Sequence, residues 1–226
     1  MITVTDISKS YGGKPVLDGV NFSASYGESA VIVGRNGSGK STLLSILAGY
    51  LLPDKGTVTI SCGKAAFCPQ DDNLFEDLTV RDNILFWTRA QGGSFAAQNA
   101  ENLIVAEPNA PDLVRLFGAD AYLGKRVRHL SGGMKKSVAI ICALTNNSPV
   151  FILDEPFSGL DIFYKSAILG ALAKLKSMGK CIIYTSHNID EIAGLDSQIY
   201  TLAQGKLSHM YAEANASLLE AILSKI

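Results

Sequence analysis

Apolar residues along this chain fall into three patterns, and each predicts a different kind of element. Near the start, Ile2, Val4 and the pair Asp6-Ile7 follow the alternation of a half-exposed strand. Val20, Phe22 and Ala24 repeat that spacing, and residues 57–61 and 65–68 give two more short strands. Continuous apolar runs follow a second pattern: Ala30-Val31-Ile32-Val33, Val150-Phe151-Ile152-Leu153 and residues 181–185 each suit a strand buried on both faces. The third pattern is helical. Leu43, Leu44, Ile46 and Leu47 form one such stretch, and residues 162–178 form another.

Between Val80 and Leu144 the chain reads as helix with interruptions. Thr79 is a capping residue with Asp82 three positions on, and Gly92-Gly93-Ser94 is a break. Residues 96–106 and 111–117 predict two further helices. Residues 197–202 and 206–210, joined by a turn at Gln204-Gly205, predict a closing hairpin. Leu218, Leu219, Ile222 and Ile226 give a last helix one apolar face, expected to pack on the body. Apolar strands alternating with helices indicate a parallel sheet covered on both faces.

Composition narrows the class. The chain has 226 residues, 47% of them hydrophobic, which is enough for one large domain with a sizeable core. A net charge of −1 gives no support for a nucleic-acid binder acting through bulk charge. Cys62, Cys68, Cys142 and Cys181 form no C-x-x-C pair, which argues against a zinc or disulfide framework and fits a reducing cytoplasm. The first ten residues lack the basic start and apolar core of a signal peptide. The apolar run at 138–144 is far shorter than the roughly 20 residues a membrane span needs. Any membrane role is therefore expected to come through a partner.

The chemistry concentrates at residues 34–42, GRNGSGKST, which fit G-x-x-x-x-G-K-[ST] at Gly34, Gly39, Lys40 and Ser41. A buried strand precedes the loop and a helix follows it. Glycines let the backbone turn tightly and bring N–H groups up to phosphates, and the helix start adds its positive dipole end. Lys40 can reach the β- and γ-phosphates, Ser41 can bind Mg²⁺, and Thr42 would lie nearer the α- and β-phosphates. A second constellation ends the Val150 strand in Asp154-Glu155. Carboxylates at the carboxyl edge of a parallel sheet suit two jobs: one holds metal, the other orients or deprotonates a water. Residues 130–133, Leu-Ser-Gly-Gly, open a helix and form a second potential anion site. One phosphate loop needs no second site unless two chains share a nucleotide.

At this point the chain resembles the ATP-binding-cassette (ABC) ATPases over essentially its whole length. Tyr11 looks like the aromatic that stacks on adenine, with Val16 beside it. The loop containing Gly34, Asn36, Gly37, Ser38, Gly39, Lys40, Ser41 and Thr42 looks like the family's Walker A segment. Gln70 looks like the Q-loop glutamine that touches Mg²⁺ and the attacking water. Ser131, Gly132 and Gly133 look like the signature segment. Asp154 and Glu155 are similar to the Walker B aspartate and the catalytic glutamate, and Asp161 to the D-loop aspartate. His187 looks like the switch histidine at the γ-phosphate. Taken singly, Tyr11 also fits a surface aromatic, Gln70 a solvated loop residue, and His187 a helix cap or a core imidazole.

The resemblance implies an α/β fold: a P-loop NTPase core with a mixed, mainly parallel sheet, an N-terminal antiparallel β-subdomain and an inserted α-helical subdomain. It implies a single domain over 1–226, with the core and β-subdomain about 1–70 and 145–226 and the helical subdomain about 71–144. Expected cofactors are ATP and Mg²⁺, the metal held by Ser41, Gln70 and Asp154. Expected catalytic residues are Glu155, His187, Gln70 and Lys40. Ser131, Gly132, Gly133 and Asp161 would act across a head-to-tail dimer. Expected partners are a second ABC ATPase subunit and transmembrane permease subunits, with no nucleic acid. The protein would lie in the cytoplasm, peripheral on the inner face of the membrane through its permease. Residues 71–78, with Phe75 and Leu78 as candidate contacts, would receive the permease.

Two departures from the family pattern matter. Met134 stands where a signature glutamine is usual, followed by Lys135-Lys136, as in ABC-2-type exporter ATPases, and Ile162 replaces the usual proline after Asp161. Together with a short tail, Met134 tilts the reading toward export. The alternatives are a soluble assembly ATPase of the iron–sulfur type and a non-hydrolysing regulatory module. Glu155 and His187 weigh against the latter, and the lack of an N-K-x-D segment weighs against a GTPase.

Overall fold

The computed structural model describes residues 1–61, 63–91 and 112–210. Nine strands form two sheets among them. A three-stranded antiparallel sheet has the order β2-β1-β4, from β1 (Ile2–Tyr11), β2 (Lys14–Ala24) and β4 (Lys55–Ile60). The N-terminal alternation predicted this sheet, with one addition. A register shift falls between Val4 and Ile7, with Asp6 at φ 53°, and it turns Ile7 rather than Asp6 to the core.

The second sheet has six strands in the order β5-β6-β7-β3-β8-β9. They are β5 (Ala66–Cys68), β6 (Val150–Leu153), β7 (Cys181–Thr185), β3 (Ser29–Val33), β8 (Gln198–Ala203) and β9 (Lys206–Met210). All neighbours are parallel except the β8–β9 hairpin at one edge. The hairpin expected at 197–210 is therefore present, and its first strand also pairs directly with β3.

Residue alternation explains how the layers assemble. Val31, Val33, Phe151, Leu153, Ile182 and Tyr184 share one face of this sheet and pack with α4 (Gly132–Leu144) and α5 (Ile162–Ser177). Ala30, Ile32, Val150, Ile152, Cys181 and Ile183 share the other face and pack with α1 (Lys40–Leu47) and the antiparallel sheet. Strands β3, β6 and β7 are buried along their whole length, which is why they read as unbroken apolar runs.

Helix α2 (Val80–Ala90) starts at the predicted cap. The Thr79 side chain accepts from the Asp82 N–H at 3.1 Å, and Asp82 answers the Thr79 N–H at 3.4 Å. The remaining helical prediction is met in part. The described part of 111–117 holds α3 (Leu113–Leu116), and the path to α4 runs through two 3-10 turns, Ala119–Tyr122 and Val127–His129. A last short helix, α6 (Ile189–Ala193), follows β7. The helices expected at 96–106 and after residue 218 lie outside the described residues. Among the described residues no helix is long and apolar enough to cross a membrane.

Candidate functional site

Local rules build the phosphate loop. Strand β3 ends at Val33, and α1 begins at Lys40 after Gly39, whose φ of 103° only glycine adopts without strain. A β-carbon there would also press within 2.9 Å of Val16 Cγ1, so Val16 packs directly on the loop. No side chain caps the start of α1, and its first turn holds no acidic residue. Its leading N–H groups and dipole are thus free to meet an anion. Lys40 is buried, and its Nζ donates to the carbonyls of Gly34 at 2.9 Å and Arg35 at 3.1 Å. The Ser38 hydroxyl is buried in the same loop with no hydrogen-bond partner among the described residues.

A cavity of about 490 Å³ opens over this loop. Asn36, Gly37, Gly39, Lys40, Ser41 and Thr42 contribute its floor. Tyr11 and Val16 line it from the antiparallel sheet, and Gln70, Glu155 and His187 complete it. Tyr11 is half-exposed, with the Lys9 ammonium 5.8 Å from its ring centre. Eleven residues singled out by the phosphate-loop motif, the Asp154-Glu155 pair and the family resemblance thus converge on one space. A larger cavity of about 550 Å³ lies at the far end of α1, beside Tyr50, Phe67 and Gln91, with Lys64 the one charged lining residue among the described residues. It lacks the glycine loop and the carboxylates.

Sheet register delivers the acidic groups. Leu153 pairs with Tyr184, so Asp154 falls beside Thr185 at the carboxyl edge. Asp154 is buried, and its Oδ1 accepts from Thr185 Oγ1 at 2.7 Å. The same Thr185 oxygen accepts the Glu155 N–H at 2.7 Å. Glu155 sits at φ 47°, the left-handed region, and its carboxylate lies 3.7 Å from His187 Nδ1. His187 does not cap the next helix: Asn188 does, accepting from the Asp190 N–H at 2.9 Å. The imidazole is left half-exposed toward the cavity.

The segment leading to His187 is held from behind. Ser186 Oγ donates to Glu191 Oε2 at 2.5 Å, and Lys165 on α5 lies 2.7 Å from Glu191 Oε1. Tyr184 donates its hydroxyl to the Glu191 carbonyl at 3.0 Å, and burial pushes its pKa up to about 12.

Ser131, Gly132, Gly133 and Asp161 do not line the cavity. Ser131 caps α4, accepting from the Met134 N–H at 3.3 Å, and its hydroxyl lies 3.3 Å from the Tyr164 hydroxyl. Asp161 caps α5, accepting from the N–H groups of Phe163 and Tyr164 at 3.0 Å each. The caps do without proline at 162, because a free N–H at 163 and 164 is all Asp161 requires. Met134 is half-buried against the helical core, an apolar role that glutamine would not fill as readily.

Sequence reasoning missed Thr185, Tyr164, Lys136 and Glu191. Each acts through another residue rather than through a recognisable motif. Lys136 is buried, and its Nζ reaches Asp72 Oδ1 at 2.7 Å and the Gln70 carbonyl at 2.8 Å, so it pins the Gln70 loop to α4.

The donor types fit a magnesium nucleotide. Ser41 hydroxyl, Gln70 amide oxygen and Asp154 carboxylate are hard oxygen ligands, and Lys40 with the α1 start supplies positive charge for phosphates. Among the described residues no group of three or more His, Cys, Asp or Glu side chains could hold a metal ion. A cation at this edge would therefore take oxygens from a phosphate ligand as well.

Comparisons with known proteins agree with this geometry. A family profile described as "ABC transporter" matches residues 17–158. The Nod factor export ATP-binding protein I of Paraburkholderia xenovorans (strain LB400) is 35% identical over 212 residues, covering 88% of this chain and 67% of that protein. The linearmycin resistance ATP-binding protein LnrL of Bacillus subtilis (strain 168) is 30% identical over 218 residues, 92% of this chain and 68% of that protein. The chain thus spans about two thirds of the length of both relatives. Among solved structures, the ATP-binding subunit of an ABC transporter superposes with a TM-score of 0.83 at 27% identity, covering 99% of this chain and 98% of that one. An ATP-binding cassette solved as a dimer in a post-hydrolysis state with ADP and Pi gives a TM-score of 0.79 at 25% identity, covering 95% and 100%.

Proposed function

The chain belongs to the ABC transporter ATP-binding family, and on that premise we propose that it is the ATP-hydrolysing motor of an exporter, driving transport through separate membrane subunits. The single observation that carries the reading is the division of the site. The phosphate loop, Gln70, Glu155 and His187 share one cavity, while Ser131, Gly132, Gly133 and Asp161 lie outside it. Two chains facing head to tail would bring the second group to the first group's nucleotide. A cassette dimer with ADP and Pi among the similar structures supports this arrangement.

In this reading the loop N–H groups and Lys40 hold the β- and γ-phosphates, and Tyr11 stacks on the base with Val16 beneath. Ser41, Gln70 and Asp154 would hold Mg²⁺, which would neutralise phosphate charge when bound. Glu155 orients or deprotonates the attacking water, and His187 donates to the γ-phosphate. Phosphoryl transfer asks the protein for positioning and charge stabilisation, and these residues supply both. Asp161 and the signature residues communicate across the dimer.

Export is favoured by the two relatives, one named for Nod factor export and one for linearmycin resistance. With no membrane-crossing helix among the described residues, membrane attachment would come through a permease, on the cytoplasmic face. Gln70 and residues 71–78 would form the groove that receives it. Phe75 and Leu78 are exposed there, and Phe75 meets the exposed Phe86 edge to face at 4.8 Å.

Affinity purification of the tagged chain from detergent-solubilised native membranes tests the reading. Polytopic membrane proteins in stoichiometric yield, with Mg²⁺-dependent ATPase activity, are the expected result. Soluble partners alone would overturn the exporter assignment and favour the assembly ATPase.

A further inference from the structure

We propose that Thr185 is a positioning residue of the hydrolytic site, fixing the metal-holding and water-orienting carboxylates to each other through one hydroxyl. The inference rests on the roles given above to Asp154 and Glu155.

Thr185 ends β7 with no solvent exposure. A hydroxyl has one proton to give and two lone pairs. The proton goes to Asp154 Oδ1 at 2.7 Å, and a lone pair takes the Glu155 N–H at 2.7 Å. Both directions are set by the partners: the backbone N–H can only donate and an ionised carboxylate can only accept, so the hydroxyl receives one and gives its proton to the other. One oxygen therefore sets both the rotation of the Asp154 carboxylate and the direction of the Glu155 peptide.

Backbone strain makes the second bond consequential. Glu155 holds φ 47°, a left-handed conformation that is strained for a side-chain-bearing residue. Such a residue stays there only when its surroundings over-determine it. The Thr185 bond and the Asp154 N–H to the Cys68 carbonyl, 2.9 Å, fix the two peptides on either side of the strand end. Two residues beyond Thr185 stands His187, 3.7 Å from the Glu155 carboxylate. A shift at Thr185 would thus move three groups of the site in step.

The side chain of valine has nearly the shape of threonine and neither hydrogen-bonding function, whereas serine keeps both. In the Thr185→Val variant, kcat should fall about 10–100-fold, the range seen when an outer-shell partner of a metal ligand is removed. KM for ATP should change less than about threefold, because the phosphate loop is untouched. Thr185→Ser should restore kcat to within about threefold of the native chain. A turnover-free readout accompanies these: titration of a non-hydrolysable ATP analogue with and without Mg²⁺. Metal-free affinity should be unchanged in Thr185→Val, which also reports that the loop is folded, while the gain in affinity on adding Mg²⁺ should shrink. Thr185→Ala serves in the same way if the valine variant does not fold.

Glu155→Gln measured alongside separates the two levels of the claim. If Glu155→Gln turns over at the native rate, the carboxylate roles themselves fail. If it is inactive while Thr185→Val keeps native kcat and the native Mg²⁺ gain, the positioning role of Thr185 is overturned alone. Equal loss in the valine and serine variants would also overturn it, since packing rather than the hydroxyl would then be at stake.

Discussion

Gly133 lies so close beneath the ring of Tyr164 that a β-carbon there would come nearer to the aromatic carbons than real Cβ contacts ever do. Tyr164 also carries the hydroxyl 3.3 Å from Ser131, and its own N–H bonds to Asp161. One aromatic side chain thus seats the start of α4 against the start of α5, and it links the two segments proposed to meet the partner chain. Gly133→Ala should force the ring away, at a cost of about 1–3 kcal/mol in stability. Nucleotide binding to the single chain should survive while ATP-dependent turnover falls more than about tenfold. Tyr164→Phe keeps the ring and should be far milder. Chemical denaturation and steady-state ATPase assays check both.

Glu155→Gln and Lys40→Ala should fail at different steps. The glutamine variant keeps shape and backbone, so it should bind ATP, lose turnover and accumulate as a dimer in ATP and Mg²⁺. Lys40→Ala removes a buried ammonium that bonds two loop carbonyls, so nucleotide affinity itself should drop by about tenfold or more. Size-exclusion chromatography and fluorescent-nucleotide titration separate the outcomes. Native-rate hydrolysis by Glu155→Gln would remove its assigned role.

Lys136→Met tests the latch between α4 and the Gln70 loop. The ammonium is buried and paired with Asp72, whose side chain retains some exposure. Water can partly take over at Asp72, so the loss should be about 1–3 kcal/mol, below the full cost of breaking a sealed pair. Because the other partner is the Gln70 carbonyl, kcat should fall more than KM rises. Urea unfolding and ATP kinetics together read both effects.

Cys68, Cys142 and Cys181 are buried free thiols, and burial raises the pKa of each: Cys68 and Cys181 to about 12, Cys142 higher still. A raised thiol pKa lowers the thiolate fraction at neutral pH, so alkylation should be slow on two counts. Peptide mapping after iodoacetamide at pH 8 should find these three unmodified in the folded protein and modified in denaturant. Labelling of the folded chain at Cys68 would mean that the sheet edge beside Asp154 opens to solvent.

Much of the fold was legible in the sequence because its signals are local. Alternation marked β1, β2 and β4, unbroken apolar runs marked β3, β6 and β7, and the Thr79–Asp82 pair marked the start of α2. Residues such as Lys40 and Glu155 could be picked out because each belongs to a short motif. Strand order was not legible: nothing local says that β3 lies between β7 and β8. Thr185, Tyr164 and Lys136 escaped for the same reason. Their partners sit 31 positions away at Asp154, 31 at Gly133 and 64 at Asp72, distances that no periodicity spans. The register shift at Asp6 escaped because an aspartate in an alternating strand carries no sign of a left-handed backbone.

The order β6-β7-β3 has a mechanical consequence. Asp154 and Glu155, Thr185 and His187, and the loop from Gly34 leave the ends of three adjoining strands, each about 4.8 Å from the next. Their mutual spacing is set by a ladder of backbone bonds, which yields little under load. Gln70 follows a three-residue edge strand, and Ser131 hangs on no strand at all. The carboxylates, the histidine and the phosphate loop make an anvil. In the proposed dimer closure, movement would fall to the parts fastened outside the ladder, and Lys136 is the rivet that ties two of them together.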